Sequence, residues 1–143
     1  MKHVEVAIGI VHQAGWVLIC QRKKDDAFAD LWEFPGGKIE HGETPQDCVV
    51  REVAEELGIH VKPTADFPEI AYQYTELSVR IYPWLCTVVS GHPHPMDGQR
   101  MQWVQAERLV DFPFLPANAA LIGQIIAKLS DCEIPQLCGP GVN

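Results

Sequence analysis

The sequence predicts an α/β fold in which a mixed β-sheet packs against helices. Segments of strand-type composition lie on both sides of a helix that has clear start and stop signals, and a second segment of helical periodicity lies near the C-terminus. The chain has 143 residues, of which 47% are hydrophobic, and this is enough for one core. We therefore expect a single domain over residues 1–130 and a flexible tail at residues 131–143.

Two strands are predicted at the N-terminus. Val4–Val11 (VEVAIGIV) is rich in β-branched residues, and Trp16–Arg22 (WVLICQR) follows a turn at Gly15, which indicates a hairpin. The later stretch LWEFPGGK contains a proline and two glycines, which interrupt regular structure and let backbone groups approach a ligand closely. We therefore expect a hairpin, followed by a loop that is accessible to a ligand.

The next predicted element is a helix between Thr44 and Gly58. Thr44 is a favourable N-cap, Pro45 suits the first turn because its missing N–H is not needed there, and Asp47 favours the positive end of the helix. Gly58 can adopt the left-handed conformation that often ends a helix. Local chemistry therefore signals both boundaries.

The second half of the chain predicts three more strands and a helix. Glu69–Leu77 and Val79–Val89 are rich in aromatic and β-branched residues, and Pro83 indicates an edge or a bulge in the second of them. A loop, GHPHPMDGQ, leads to a short strand at Met101–Val104. Apolar residues then recur at helical spacing over Ala117–Leu129, which predicts the last helix.

Composition limits the possible functions. The net charge of −8 argues against a nucleic-acid polymer as partner, because such binding normally needs a basic surface. The N-terminus is too short and too mixed for a secretory signal, and no apolar run reaches bilayer length. The five cysteines are an odd number, so we do not expect a disulfide framework. We expect a cytoplasmic monomer with a small-molecule partner and no membrane contact; an anionic ligand would require a metal ion or a local cluster of cations.

The most informative feature is a cluster of carboxylates in the helix predicted between Thr44 and Gly58. Glu52, Glu55 and Glu56 fall within an arc of roughly 100° on a helical surface. Like charges three or four residues apart destabilise an isolated helix by a few tenths of a kcal/mol per pair. Charge runs usually face solvent, but a divalent cation would turn this repulsion into a binding site, and Mg²⁺ in particular combines carboxylates with substrate phosphates.

The spacing around these glutamates fits a longer pattern. It consists of Gly37, Glu43, Arg51, Glu52, Val53, Glu55, Glu56, Gly58 and Ile59. This segment resembles the Nudix box, and the segments VEVAIGIV, LWEFPGGKIE, MDGQ and FPFLPAN extend the resemblance to MutT-like Nudix hydrolases over most of the chain. The resemblance implies an α-β-α sandwich with Mg²⁺ or Mn²⁺ on the box helix. It also implies hydrolysis of a nucleoside triphosphate by water to a nucleoside monophosphate and pyrophosphate.

The resemblance assigns roles to residues that match the family's motif. It implies a set of metal ligands consisting of Glu52, Glu55, Glu56 and the carbonyl oxygen of Gly36. Arg51 would pair with Glu43 and hold the preceding loop onto the helix. Asp97 stands where the family has a glutamate used in metal binding or base catalysis, but an aspartate before Gly98 is equally a turn residue. Glu52 is therefore the preferred general base.

A second implied set would contact the nucleotide and consists of Arg22, Glu33, Phe34, Pro35, Gly36, Tyr74 and Asn118. Arg22 or the adjacent Lys23 would reach a phosphate, with an exposed surface cation as the alternative. Asn118 matches an asparagine that reads an oxidised guanine, while asparagine is also a favoured helix-start residue.

Aromatic residues around the box complete the predicted base site. Phe34 would pack against the base, and Trp32 and Tyr74 would either line the same pocket or be plain core aromatics. Ala27 departs from the family, because close relatives carry a histidine at the nucleotide there. We therefore expect the affinity or the selectivity for 8-oxoguanine to differ from that of these relatives.

Three functions compete at this point. The leading hypothesis is an Mg²⁺-dependent pyrophosphohydrolase that removes 8-oxo-dGTP from the nucleotide pool. The second is a pyrophosphohydrolase acting on CTP, dCTP or a modified dCTP, because LWEF before the box also occurs in that kind of Nudix enzyme. The third is a non-catalytic nucleotide-binding module, which the four glutamates of the pattern disfavour. A zinc site has unsuitable ligand spacing; it would use Cys132, Cys138, His92 and His94.

Overall fold

Residues 2–22 and 28–130 are described by a computed structural model, and they form eight strands and four helical segments. The strands are β1 (Lys2–Gln13), β2 (Trp16–Gln21), β3 (Trp32–Glu33), β4 (Gly36–Lys38), β5 (His60–Asp66), β6 (Ile70–Tyr74), β7 (Leu77–Ser90) and β8 (Met101–Gln105). The helical segments are α1 (Pro45–Leu57), a 3₁₀ helix (Ala106–Asp111), α2 (Pro116–Ala119) and α3 (Ile122–Leu129). None of these helices has the length and apolar content that crossing a membrane requires. The predicted tail at residues 131–143 lies outside the described residues.

The strands form one mixed sheet. The path β3-β2-β1-β7-β5 is its body, while β4 pairs with β1, β6 with β7 and β8 with β2. β1 and β7 run parallel, from Lys2 opposite Leu77 to His12 opposite Thr87. The other pairs are antiparallel. The predicted α/β class with a mixed sheet is therefore confirmed.

The predicted N-terminal hairpin is present. β1 and β2 are joined by Ala14 and Gly15, whose φ angles of 49° and 83° are both in the left-handed region. This two-residue turn has the backbone twist that suits paired strands, and it places His12 opposite Val17. Pairing therefore starts at the tight turn, as its glycine indicates.

Two hydrophobic clusters lie on opposite faces of the sheet and explain how the helices are held. Ile8 and Ile10 of β1 belong to the cluster that contains Ile125 of α3, whereas Ala7 and Val11 belong to the cluster that contains the buried face of α1. Because successive strand residues point to opposite faces, β1 contributes to both clusters. Each fully buried aliphatic side chain stabilises the fold by about 1.5–3 kcal/mol relative to an exposed one. The result is a helix layer on each side of the sheet.

The prediction of an edge or a bulge at Pro83 is wrong. β7 is an inner strand with β1 on one side and β5 and β6 on the other. Proline is tolerated there because β6 pairs with β7 as far as Ile81, and β5 pairs with it from Trp84 onwards. Pro83 lies between these two partners, and its carbonyl accepts a hydrogen bond from the N–H of Phe67 at 3.0 Å.

Other boundaries differ from the predictions. Strands β3, β4 and β5 were not expected, because the first two are very short and β5 contains lysine, proline and aspartate. The predicted helix over Ala117–Leu129 is divided into α2 and α3. At the break the N–H of Leu121 bonds to the carbonyl of Asn118, three residues back instead of four. The N-terminal part of the predicted helix is therefore a separate short turn of helix.

Candidate active site

Helix α1 presents its charged face because its other face is fixed on the sheet. The hydroxyl of Thr44 accepts a hydrogen bond from the N–H of Asp47 at 3.1 Å, and Gly58 ends the helix with a φ of 69°. Gly9 of β1 allows a close approach, since a side chain there would meet Val49 at 3.0 Å and Val53 at 3.4 Å. The orientation of the glutamates therefore follows from the packing of the apolar face.

Arg51 organises the segment before and along the helix. Its guanidinium forms a two-pronged pair with Glu43, with Nε 2.7 Å from Oε2 and Nη2 3.0 Å from Oε1. Nη2 also donates to the carbonyl of Lys38 at 3.1 Å, and Nη1 lies 3.0 Å from a carboxylate oxygen of Glu52. The guanidinium of Arg51, itself on the helix, therefore connects Lys38 and Glu43, which precede the helix, to Glu52 within it.

Glu43 is fixed from both sides. Its Oε1 atom accepts a hydrogen bond from the N–H of Glu40 at 3.0 Å, in addition to the pair with Arg51. The hydrogen bonds from Arg51 and from the Glu40 backbone lower the pKa of Glu43 to about 2. The same pair raises the pKa of Arg51 further. Both partners of this ion pair are therefore charged near neutral pH.

The three box glutamates have different surroundings. The side chain of Glu52 is 17% exposed, and its carboxylate lies directly over the backbone of Gly37, where any side chain would collide with it. Glu55 is 59% exposed and is 3.4 Å from Arg51. Glu56 is half-buried, and the backbone of Gly36 near its carboxylate acts to lower its pKa. The structure thus places Glu52 and Glu56 against the glycine segment and leaves Glu55 towards solvent.

Glu56 and Asp97 line a small acidic cleft of about 220 Å³. Its other lining residues are Cys20, Gln21, Arg22, Glu33 and Gln99. Burial, followed by the charges of Glu52, Glu33 and Asp97, raises the pKa of Glu56 to about 8. Three carboxyl side chains, those of Glu33, Glu56 and Asp97, line the cleft with a single cation, Arg22. The cleft therefore has the electrostatic character of a cation site.

A larger, mostly apolar cavity of about 620 Å³ adjoins this cleft. Residues from β1, β6, β7 and the α2 region line it, among them Val6, Ile8, Phe34, Tyr74, Val79, Ile81, Leu115, Ala117 and Asn118. The ring of Phe34 stacks on Phe114 at a centroid distance of 5.1 Å, which fixes one wall. The half-exposed Phe28 packs on Tyr74 at 5.4 Å near the opening. The cavity has the size and lining of a small-molecule site.

Asn118 is the one buried polar side chain among residues 2–22 and 28–130. Its Oδ1 atom accepts a hydrogen bond from the backbone N–H of Phe34 at 3.1 Å. The alternative that Asn118 starts a helix is wrong, because Leu115 is the N-cap of α2 and Asn118 lies inside it. The amide nitrogen of Asn118 donates no hydrogen bond to the described residues. Every fully buried side-chain nitrogen among those residues has a hydrogen-bond partner. The amide nitrogen of Asn118 is therefore not fully buried and reaches the surface of the cavity.

Arg22 and Glu33 connect the two cavities. Both residues line the acidic cleft and the apolar cavity. Their side chains form an ion pair at 3.0 Å, which is possible because β2 and β3 are neighbours and the N–H of Arg22 bonds to the carbonyl of Leu31. A ligand that extends from one cavity to the other must therefore pass this pair.

Several predicted contact residues lie elsewhere. Trp32 is a core residue that packs edge-on against Phe112 at 5.5 Å and does not line the cavity. Pro35 lines neither cavity, and its carbonyl instead accepts the N–H of Gly9 at 2.8 Å. Lys23 and Ala27 are outside the described residues, as are the two cysteines of the discounted zinc site.

Sequence reasoning missed much of the apolar lining. Val6 and Ile8 of β1 and Val79 and Ile81 of β7 all line the cavity. The available signal was strand alternation, since these pairs are two positions apart and share one face of the sheet. Gln99 in the cleft carried no comparable signal.

Comparison with known proteins decides the family. A model of the NUDIX domain matches residues 6–124. This chain belongs to the Nudix family. An 8-oxo-dGTP diphosphatase from Escherichia coli K12 is 35% identical over 126 residues, which cover 87% of this chain and 98% of that relative. A CTP pyrophosphohydrolase from the same strain is 32% identical over 130 residues, which cover 89% and 94%.

A solved structure supports the same assignment. A MutT structure from work on the Aliivibrio salmonicida and Vibrio cholerae proteins has a TM-score of 0.73 and 32% identity to this chain. The likeness covers 87% of this chain and 96% of that one. The predicted resemblance to MutT-like Nudix hydrolases is therefore confirmed.

Nudix hydrolases generally depend on a divalent metal ion. The donors here fit a hard cation in kind, because they are carboxylate and backbone carbonyl oxygens, and one of them, Glu56, lines the acidic cleft. In the described part of the chain, however, no three His, Cys, Asp or Glu side chains are gathered closely enough to hold one. Arg51 holds Glu52, and Glu55 points outwards. The donor set is thus suitable, and its carboxylates would have to turn inwards to share an ion.

Proposed function

We propose that this protein is a metal-dependent pyrophosphohydrolase that converts nucleoside triphosphates to monophosphates and pyrophosphate, with 8-oxo-dGTP as its main substrate. Its role would be removal of this mutagenic precursor from the nucleotide pool before DNA replication. The observation that carries the proposal is the junction of an apolar cavity with an acidic cleft at Arg22 and Glu33. The apolar cavity suits a nucleobase, and the cleft suits phosphates whose charge is offset by a cation.

The metal site of the proposal uses the box helix. Glu52, Glu55, Glu56 and the carbonyl of Gly36 would hold Mg²⁺, or alternatively Mn²⁺. When bound, the ion would offset the charge of the phosphate oxygens and favour ionisation of the attacking water. The lining of the cleft supports the assignment of Glu56, because the carboxyl groups of Glu33 and Asp97 beside it would attract a cation.

The remaining roles belong to side chains of this protein. Glu52 is our choice of general base, since its carboxylate is oriented by Arg51 at 3.0 Å and would need to accept only one proton. Asp97 is the second candidate because it lines the same cleft. Arg22 would contact a phosphate while it keeps its pair with Glu33, since a guanidinium has five N–H donors.

Asn118 supports an oxidised purine as the substrate. Its amide nitrogen is available as a donor, and Oδ1 keeps one lone pair beyond the bond from Phe34. Guanine presents two acceptors, O6 and N7, on its major-groove edge, whereas oxidation at C8 turns N7 into an N–H donor. An amide placed against this edge would pair with both groups only in the oxidised base. The identity to 8-oxo-dGTP diphosphatases supports the same choice.

A second candidate is a pyrophosphohydrolase acting on CTP or a modified dCTP. The observation in its favour is the CTP pyrophosphohydrolase relative, whose 32% identity over 130 residues is close to that of the leading relative. In that case Asn118 would serve only to hold the backbone of Phe34. We also propose that the protein acts as a cytoplasmic monomer on free nucleotides, because its charge of −8 disfavours nucleic-acid polymers.

Initial rates of pyrophosphate release test the substrate. The panel contains 8-oxo-dGTP, dGTP, dCTP and 5-substituted dCTP, each with Mg²⁺ and with EDTA. We expect a preference for 8-oxo-dGTP that disappears in EDTA. Equal rates with dGTP would contradict the specificity, a preference for dCTP analogues would favour the second candidate, and full activity in EDTA would contradict the metal requirement.

A variant pair tests catalysis against mere binding. Glu52→Gln keeps the shape of the side chain and removes its charge, and Glu107→Gln makes the same change at an exposed position of the 3₁₀ helix. We expect the first variant to lose activity by at least about 10²-fold, which is the low end for a lost general base, and the second to keep it. No turnover by the wild type on any nucleotide would favour a non-catalytic module.

A further inference from the structure

We propose that His94 is a positioning residue that docks the loop of residues 91–100 onto the C-terminal end of α1 and thereby holds Asp97 over the acidic cleft. The proposal rests on the proposed function, because it concerns a residue that lines the same site. It assigns a role to a side chain that is exposed and contributes no core packing.

The backbone of this loop bonds to the last carbonyls of the helix. The N–H of His94 donates to the carbonyl of Leu57, and the N–H of Met96 donates to the carbonyl of Glu56, both at 3.0 Å. Terminal carbonyls of a helix have no partner within it and need one from outside. The loop therefore completes the helix that carries the box glutamates, and its second bond lies at Glu56 itself.

Packing at Gly58 explains why His94 is suited to this place. A side chain on Gly58 would lie 2.8 Å from Cε1 of His94 and 3.4 Å from its Nε2, so the ring occupies the space above the glycine. The Nδ1 atom of His94 donates to the carbonyl of His92 at 3.3 Å, which restrains the ring from the other side. The imidazole thus closes the corner at which helix α1 ends.

The start of the loop meets the same corner. Gly91 has a φ of 94°, and a side chain there would be 3.2 Å from the carbonyl oxygen of Gly58 and 3.3 Å from Ile59. Two glycines and one imidazole therefore pack where side chains of ordinary size would not fit. Gly91 precedes the two prolines of the loop, and Met96, whose N–H bonds to the carbonyl of Glu56, follows them, so contacts with the end of the helix fix the direction in which the chain continues.

Asp97 follows directly from this anchored segment. It is adjacent to Met96, its N–H bonds to Oε1 of Gln99 at 3.2 Å, and both Asp97 and Gln99 line the cleft with Glu56. The side chain of Asp97 extends from backbone that is held by the His94 and Met96 bonds. Loss of the imidazole would free this backbone and move Asp97 relative to Glu56.

Four variants test the proposal, namely His94→Ala, His94→Phe, Asp97→Asn and the double variant His94→Ala with Asp97→Asn. Since misplacement by about 1 Å can cost up to about 10²-fold, we expect His94→Ala to lower kcat by about 10-fold with little change in KM. The double variant should be no slower than Asp97→Asn, because both changes act on one group. His94→Phe keeps a ring over Gly58 and should restore most of the rate, while His92→Ala is the matched control with unchanged kcat.

Amide hydrogen exchange of the metal-free protein gives a readout that does not depend on turnover. The N–H groups of His94 and Met96 should exchange at least about 10-fold faster in His94→Ala than in wild type or His92→Ala, because local opening sets their rates. Unchanged exchange in His94→Ala would overturn the docking role even if activity fell. If wild type hydrolyses no nucleotide, the proposed function fails, and the exchange result alone still decides whether His94 docks the loop.

Three kinetic outcomes would also overturn the proposal. They are full activity of His94→Ala, losses that multiply in the double variant, and full activity of Asp97→Asn combined with a defect in His94→Ala. A His94→Phe variant as slow as His94→Ala would show that ring packing is not the relevant contact. Equal thermal stability of His94→Ala and wild type is expected throughout, since the side chain is exposed.

Discussion

Replacing Gly37 with alanine would displace the Glu52 carboxylate and leave the stability of the fold nearly unchanged. The new Cβ would lie 2.5 Å from Cδ of Glu52, whereas ordinary van der Waals contact begins near 3.4 Å. The carboxylate would therefore have to move by about 1 Å. If Glu52 is the general base, as we propose, a displacement of this size can cost about 10²-fold in rate, and we expect kcat of Gly37→Ala to fall by about that factor.

The neighbouring glycines provide the contrast. The colliding atoms at Gly37 belong to the end of a flexible side chain, so the melting temperature should change little. A side chain on Gly36 would instead collide with the backbone of Ala7 and Ile8 in β1, and Gly36→Ala should lower the melting temperature strongly. Gly123→Ala has open space in α3 and should stabilise the protein by about 0.5–1 kcal/mol with normal kcat.

The assay combines steady-state kinetics on the preferred nucleotide with thermal unfolding and Mn²⁺ binding followed by EPR. Gly37→Ala should show the fall in kcat and weaker Mn²⁺ binding at a wild-type melting temperature. Normal kcat and normal Mn²⁺ binding in a folded Gly37→Ala protein would refute the reasoning, because Glu52 would then tolerate displacement. Unfolding of Gly37→Ala would refute the distinction between the two glycines.

Three further predictions concern stability. Pairing with Arg51 lowers the pKa of Glu43, so this carboxylate should stabilise the fold in a pH-dependent way. The measurement is the difference in melting temperature between wild type and Glu43→Gln. This difference should be complete above about pH 5 and should shrink as the pH falls from about 4.5 towards about 2. A pH-independent difference would contradict it. Asn118→Ala should cost about 1–3 kcal/mol of unfolding free energy, since it leaves the N–H of Phe34 without its partner; no loss in denaturant unfolding would argue against this bond. Ile125→Ala should cost about 2–5 kcal/mol in the same measurement because the side chain is fully buried, and a loss below 1 kcal/mol would show that the core refills the space.

Elements with local signals could be predicted from the sequence, and those that depend on distant partners could not. Helix α1 was predicted to its ends because Thr44 and Gly58 act through their own backbone geometry. Strand β5 was missed because its sequence HVKPTAD has little strand character, and it forms by pairing with β7. Pro83 was misread for the same reason, since its tolerance depends on which strands flank β7.

The candidate site shows the same division. The glutamates and Arg51 could be found from spacing, because the pattern is contained in one helix and the loop before it. The partner of Asn118 could not be found, because its hydrogen bond to Phe34 joins positions 84 residues apart. The docking of the loop at Gly58 was equally hidden, since neither His94 nor Gly91 carries a signal for contact with a helix end.

The central place of β1 has a consequence for synthesis of the protein. Strand β1 leaves the ribosome well before its parallel partner β7, whose residues follow it by 75 positions in the register. Until β7 is made, the hairpin of β1 and β2 has an apolar edge without its neighbour, and such edges invite association between chains. Pairing at this sequence separation also slows folding. The N-terminal residues should therefore be the part of this chain that most needs protection by chaperones during translation, and truncation of β1 should abolish folding instead of merely trimming the sheet.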